Sequence, residues 1–262
     1  MRIATWNINS LRLRMPMLSK VVKALSPDIM CLQEIKVEDD LFPLHDIQGL
    51  GFEHVLFRGM KSYNGVAILS RVPLIEMRKH LWCGKDDCRH LGAELPDGTE
   101  IHNFYVPAGG DIPDPEQNDK FAHKLAFVEE MAEWFREKEP ANRILLGDLN
   151  IAPLETDVWS HKQLLKIVSH TAVEINALSK VMASKNWVDA VREIFPPEEN
   201  LYSWWSYRNR TWPGSDRGRR LDHIWVTPAL VEKIKDAKIF REARGWKRPS
   251  DHAPVMVDLD IS

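Results

Sequence analysis

Five apolar stretches of this chain each abut a carboxylate, an amide or a histidine. They are Ile3-Ala4-Thr5-Trp6-Asn7, Ile29-Met30-Cys31-Leu32-Gln33-Glu34, Ile144-Leu145-Leu146-Gly147-Asp148-Leu149-Asn150, Leu221-Asp222-His223-Ile224-Trp225-Val226 and Ser250-Asp251-His252-Ala253-Pro254-Val255-Met256-Val257. Such runs are buried strands, and a charge at the end of one is costly unless it meets solvent, a partner or a metal. If the strand ends gather at one rim, oxygens and one imidazole share a site. That composition suits a hard cation and the hydrolysis of a phosphate ester.

Between these runs the pattern is mixed. Ser10 stands as N-cap of a helix over Leu11 to Leu25, stopped near Pro27. Phe121, Leu125, Val128, Ala132 and Phe135 have helical spacing, which predicts a helix from Asp119 to Lys138, and Ala172 to Lys185 reads as another. Tyr63 to Ser70 and Leu74 to His80 read as paired strands across Arg71-Val72-Pro73. Leu91 to Leu95 and Thr99 to Val106 read as a hairpin across Pro96-Asp97-Gly98. Hairpins mixed with helices point away from a purely parallel sheet and toward two mixed sheets with helices outside, in the α/β (α+β) class. Asn7 and Asp148-Leu149-Asn150 close similar strands, so two similar halves packed sheet on sheet would bring those ends together. No Gly- or Ser-rich linker interrupts residues 1–262, which read as a single domain.

Asp148 and Asn150 share a face by strand alternation and together can hold and aim one water. The same pair also suits a solvated turn. Glu34, an acid at the end of an apolar strand, is a ligand type that Mg²⁺ accepts. A capping or surface glutamate is the alternative. His252 sits beside Asp251 just before a strand, and Asp222 is the acid that could fix its tautomer and stabilise its charged form. Cys83 and Cys88, flanked by His80 and His90, read as a reduced surface loop.

The net charge of −3 argues against nucleic-acid binding through overall positive charge. Local charge differs. Arg208, Arg210, Arg217, Arg219 and Arg220 fall in one segment interleaved with Trp204, Trp205, Tyr207 and Trp212. Arg241, Arg244, Lys247 and Arg248 surround Trp246. Arginines contact phosphates and aromatic faces stack on bases, so positive rims around an acidic centre reconcile DNA binding with a net-negative chain. Three scattered cysteines fit a reducing compartment, the stretch Met1 to Asn7 reads as too short in apolar residues for a signal peptide, and no run approaches the length of a membrane span. The expectation is a cytoplasmic monomer away from membranes.

Six motifs occur in order: Trp6-Asn7-Ile8-Asn9-Ser10-Leu11-Arg12, Leu32-Gln33-Glu34-Ile35-Lys36, Asn64-Gly65-Val66-Ala67-Ile68, Gly147-Asp148-Leu149-Asn150, Leu221-Asp222 and Ser250-Asp251-His252-Ala253-Pro254. Together they resemble the exonuclease III family of apurinic/apyrimidinic endonucleases, within a superfamily that includes DNase I and several phosphatases. Tyr202-Ser203-Trp204-Trp205-Ser206-Tyr207-Arg208 narrows the resemblance to the DNA-repair branch.

The resemblance implies a DNase I-like, four-layered αββα sandwich. It implies Mg²⁺- or Mn²⁺-dependent cleavage 5′ to abasic sites in double-stranded DNA, with removal of blocked 3′ ends and 3′→5′ exonuclease action. By position, Glu34 would hold the metal with Asn9 and Asp251 nearby, and Asn7, Asp148 and Asn150 complete the oxygen-bearing set. Asp148 would orient or deprotonate the attacking water, helped by Asn150 and Asn7. His252, paired with Asp222, would hydrogen-bond the scissile phosphate, and Tyr105 would contact it or assist the leaving oxygen. Trp204 and Leu221 would line the lesion pocket, with Arg208 and Arg219 also on the substrate. Two departures bear on specificity: Ala108 stands where the family usually has Asn or Gln, and Arg219 where it often has an apolar or aromatic residue. Ser10 replaces a common Gly. The competing readings are a phosphoesterase of the same superfamily acting on a small molecule or lipid head group, and a DNA-binding module with a decayed site.

Overall fold

The computed structural model describes residues 1–139, 141–209 and 212–261. In chain order the first elements are β1 (Arg2–Asn7), α1 (Leu11–Leu25), β2 (Ile29–Gln33), α2 (Leu44–Gln48), β3 (His54–Arg58), β4 (Val66–Ser70) and β5 (Ile75–Glu76). Then come β6 (His90–Glu94), β7 (Glu100–Tyr105), α3 (Asp119–Glu137), β8 (Arg143–Asp148), α4 (His161–Leu164), α5 (Ala172–Ser184) and β9 (Val188–Asp189). The last are β10 (Trp204–Trp205), β11 (Gly218–Arg219), β12 (Asp222–Val226), β13 (Ile234–Ile239) and β14 (Val255–Leu259).

Two six-stranded mixed sheets result, ordered β13-β14-β1-β2-β4-β3 and β5-β6-β7-β8-β12-β9, with a small β10-β11 ribbon beside them. Alternation along each strand decides the layers. Ile3, Ile29, Cys31, Val66 and Ile68 of the first sheet meet Leu91, Ile101, Ile144, Leu146, Ile224 and Val226 of the second. The opposite faces of the same strands are apolar as well. Ala4, Trp6, Met30, Leu32, Ala67 and Leu69 cover Leu18, Val21 and Leu25 of α1. Phe104, Leu145 and Trp225 cover Phe127, Met131 and Phe135 of α3 and Leu178 and Val181 of α5. The outcome is the four-layered αββα sandwich, in which central strands are buried on both faces and read as continuous apolar runs. Among the described residues, no helix is long and apolar enough to cross a membrane.

Three local expectations are corrected. Ser10 precedes α1 at φ 87° and makes no side-chain cap bond, so the chain enters the helix through a left-handed turn. Tyr63 to His80 is not a hairpin. β4 pairs with β2 and β3, while β5 pairs with β6 in the other sheet, and Arg71-Val72-Pro73 carries the chain across. The sheets also do not divide the chain into halves, because β13 and β14 return to flank β1. At Gly147, φ is 134° and a Cβ would lie 2.0 Å from the Phe104 carbonyl oxygen, so only glycine lets β8 run beside β7 here.

Two buried histidines give the fold an acid-sensitive seam. His90 Nε2 lies 3.2 Å from His102 Nδ1, and His102 Nε2 lies 3.1 Å from Glu100. Burial, then His102, pushes His90 well below the ordinary range; burial also lowers His102, against the opposing pull of Glu100. Burial biases both rings toward the neutral form in the folded protein, His90 more strongly. As pH falls below about 6.5 the unfolded chain takes up protons that the folded one resists, and stability falls by at most about 1.4 kcal/mol per pH unit per histidine. Urea unfolding between pH 7.5 and 5.5 should show the midpoint dropping more in wild type than in His90→Gln; an equal change in both would refute this account.

Candidate active site

The residues that face the inter-sheet core change character at one end of the strands. On β1 the core-facing positions run Ile3, Thr5, Asn7; on β2, Ile29, Cys31, Gln33; on β7, Ile101, Asn103, Tyr105; on β8, Ile144, Leu146, Asp148; on β12, Val226, Ile224, Asp222. The pairing registers set Asn7 beside Gln33, Tyr105 beside Asp148, and Asp148 opposite Asp222. Alternation that supplies apolar groups inside the sandwich therefore supplies amides and carboxylates at its rim.

These groups bond to one another. Asn7 Nδ2 donates to Glu34 Oε1 and to Asp148 Oδ2, both at 2.8 Å, so one amide ties two distant acids together. The Asn150 N–H donates to Asp148 Oδ1 at 3.0 Å, and the Asn150 side chain donates to the Val106 carbonyl. His252 Nδ1 lies 2.8 Å from Asp222 Oδ2, which also accepts from Ser203 Oγ at 2.6 Å. His252 Nε2 is 3.6 Å from Asp148 Oδ2, too far for a hydrogen bond, so its N–H remains available. Asn9 Nδ2 donates to Asp251 Oδ1, and Trp204 Nε1 donates to Asp251 Oδ2. Lys36 forms an ion pair with Glu34 at 2.7 Å and donates to Asn9.

Electrostatics follow from burial. Burial raises Asp148, with His252 opposing and Asp222 reinforcing the rise. Burial disfavours the His252 imidazolium, but Asp222 and Asp148 outweigh it and hold the ring charged. Burial and the neighbouring Glu34 and Asp148 keep the Tyr105 hydroxyl protonated well above the ordinary range.

Four carboxylates, Glu34, Asp148, Asp222 and Asp251, share the site with two cationic groups, Lys36 and His252, leaving a formal charge of −2. Hard oxygen donors with excess negative charge fit a divalent cation. Ligand atoms of Asp148, Asp222 and His252 lie within 4.8 Å of one another. That trio is better described as an imidazolium clamped by carboxylates, since a protonated ring has no lone pair for a metal. Glu34 and Asp251, which line the open cleft, are the carboxylates placed for an ion.

The cleft, about 1000 Å³, is also lined by Tyr105, Ala108, Asn150, Trp159, Trp204, Arg208, Arg219 and Leu221. Every residue expected at the site lies in it or bonds to a group that does. The arginine-rich segment is sorted differently from expectation. Arg220 and Arg244 are buried, as is Trp205, so none of them presents to a ligand. Arg210 lies outside the described residues. Arg217 stacks on Trp159 and Arg219 on Trp204.

Sequence reasoning missed four supporting residues. Gln33 donates to Thr5 and Asn103, and Asn103 donates to the carbonyls of Leu32 and Ala67, locking the two sheets at the rim. Ser203 holds Asp222. Lys124, fully buried, donates to the Asn150 carbonyl at 2.8 Å and pairs with Glu174. The core-facing parity of Gln33 and Asn103 was the available signal; Lys124 had none.

The chain matches the Endonuclease/Exonuclease/phosphatase family over residues 4–252. It is 30% identical to Exodeoxyribonuclease III of Haemophilus influenzae, over 99% of this chain and 100% of that one. It superposes on an AP endonuclease from Archaeoglobus fulgidus with a TM-score of 0.92 at 32% identity, each chain covered fully. A 3′ phosphatase from Neisseria, bound to product DNA hairpin, gives 0.91 at 32% identity, again with full coverage. A sandwich of this layering, with its polar rim and a match along nearly its whole length, places the chain in the Endonuclease/Exonuclease/phosphatase family.

Proposed function

We propose that this protein is a divalent-metal-dependent DNA-repair phosphodiesterase, a monomer with residues 1–262 as one catalytic domain. It cuts double-stranded DNA 5′ to abasic sites, clears blocked 3′ ends and has 3′→5′ exonuclease action. The relatives' names support a DNA substrate. The observation that carries the reading is the single Asn7 amide joining Glu34 to Asp148, with His252 held between Asp222 and Asp148. Three free thiols suit a reducing, cytoplasmic setting.

Asp148 is fixed by two donors and raised by burial, which suits a base that aims and deprotonates water. Its neighbours Asn7 and Asn150 keep it from turning away. His252 directs its free Nε2–H at a phosphoryl oxygen, and Asp222, anchored by Ser203, maintains the ring's charge and angle. Tyr105, held protonated, is a donor for the phosphate or the leaving oxygen. Family members use divalent metal, and Glu34 and Asp251 would hold it here, with Asn9 orienting Asp251. We assign the ion as Mg²⁺ (or Mn²⁺); when bound, it supplies positive charge to the phosphoryl and departing oxygens. Trp204 and Leu221 receive the lesion with Arg219 beside them in the pocket, and Arg208 contacts the DNA.

The test uses low enzyme with Mg²⁺ on three substrates: a duplex with one tetrahydrofuran abasic analogue, the intact duplex, and inositol phosphates. A nick is expected only in the first, and EDTA should slow it by about a hundredfold or more. Equal cutting of intact duplex would sink lesion selectivity, and release of phosphate from inositol phosphates alone would favour the small-molecule esterase.

A further inference from the structure

We propose that Arg219 makes the pocket beside the catalytic centre a receiver for a carboxylate, so that the enzyme removes 3′-terminal fragments ending in a carboxylate in preference to uncharged ones. This rests on the phosphodiesterase reading and refines its specificity.

Trp204 pairs antiparallel with Arg219 on one side and forms an antiparallel bridge with His252 on the other. Residues directly opposite in antiparallel pairing present their side chains on the same face. His252, Trp204 and Arg219 therefore stand in one row along the cleft, and two strand spacings separate the outer backbones by roughly 10 Å. A scissile phosphate at His252 leaves room for one small fragment before Arg219.

The two adjacent arginines differ in how their charge is met. Arg220 is saturated by Asp157, through Nε at 2.7 Å and Nη2 at 3.0 Å, and by Asp189 at 2.6 Å. Arg219 has no carboxylate partner among the described residues. Its Nη1 donates to the Val168 carbonyl at 2.9 Å and to Ser169 Oγ at 2.7 Å, its guanidinium lies 5.3 Å from the Trp204 ring centroid, and its Nε is buried without a partner. Glu174, the acid nearest in influence, is already engaged by Lys124 and by the Ser169 and Thr171 N–H groups. A half-buried guanidinium fixed by neutral acceptors, with its plane set by an indole, is prepared for an incoming anion. The cleft is thus acidic at Glu34, Asp148 and Asp251, with Asp111 at its margin, and cationic at Arg219, with Arg208 and Arg217 also lining it.

A phosphoglycolate end has this charge pattern. Water adds to phosphorus and the bond from phosphorus to the upstream 3′ oxygen breaks. That oxygen takes a proton to become a 3′-hydroxyl, and phosphoglycolate leaves carrying the water's oxygen. Throughout, the glycolate carboxylate faces Arg219.

The experiment compares gapped duplexes ending in a 3′-phosphoglycolate or in its uncharged isostere, the 3′-phospho-2-hydroxyethyl ester, alongside the internal tetrahydrofuran duplex. Wild type should favour glycolate over hydroxyethyl by about tenfold or more in kcat/KM. Arg219→Met should bring that ratio near one, and Arg219→Lys should restore part of it. Both arms use the same enzyme preparation, so partial misfolding cancels from the ratio. A wild-type ratio near one, or a ratio unmoved by Arg219→Met, overturns the proposal. So does an equal loss on the tetrahydrofuran duplex, which would assign Arg219 to a backbone phosphate. Cutting of the hydroxyethyl and tetrahydrofuran arms reports separately on the underlying nuclease reading.

Discussion

Replacing Asp148 by asparagine lowers kcat/KM on an abasic duplex by about a thousandfold or more, while the duplex is still bound. The substitution keeps the shape and removes both the proton acceptor and the charge. The native carboxylate accepts from Asn7 Nδ2 at 2.8 Å and from the Asn150 N–H at 3.0 Å. An amide can satisfy only one of these donors with its oxygen and must turn its own N–H toward the other. Water is then left without a base, and the Asn7 bridge to Glu34 loses one anchor. Gel-shift binding and single-turnover cleavage should be measured on the same preparation, so that chemistry is separated from affinity. Activity within tenfold of wild type would remove Asp148 from the reaction.

The largest effect on stability is expected at Arg220. Its side chain is 1% exposed, and it neutralises Asp157 and also Asp189, which lies on β9 beside β12. Burial works against both carboxylates, yet Arg220 holds Asp157 below and Asp189 well below the ordinary range. Arg220→Met leaves Asp189 with the Val191 and Arg192 N–H donors and a distant His223 at 3.8 Å as its remaining cationic neighbour, and leaves Asp157 with Arg192 and the Leu154 N–H. Removing one partner of a buried ion cluster costs about 3–5 kcal/mol, because the stranded charge stays buried. Urea unfolding of Arg220→Met should show this loss. Adding Asp189→Asn should recover part of it, since the second change removes a charge that the first one stranded. A loss below about 1 kcal/mol would show that the cluster is solvated on unfolding at no net gain.

Much of the catalytic rim was legible because period-two alternation applies up to the last residue of a strand. Once Ile3 faces the core, so does Asn7; once Ile144 does, so does Asp148. The same rule could not say which sheet a strand joins. Tyr63 to Ser70 and Leu74 to His80 alternate as hairpin strands would, yet the turn between them crosses from one sheet to the other. Nor could it separate adjacent arginines. In the sequence Arg219 and Arg220 are one basic patch. In the fold, successive residues point to opposite sides, and only the side of Arg220 holds Asp157 and Asp189.

The sequence by itself determined the layers and the chemical character of the rim, since both follow from local alternation and from the cost of ending a buried strand in a charge. The tertiary structure alone decided which charges are neutralised. Asp157 lies 63 positions from Arg220, and Lys124 lies 50 from Glu174. Whether a charged group serves as structural counterion or ligand receiver depends on which distant partner reaches it first, and local periodicity carries no record of that distance.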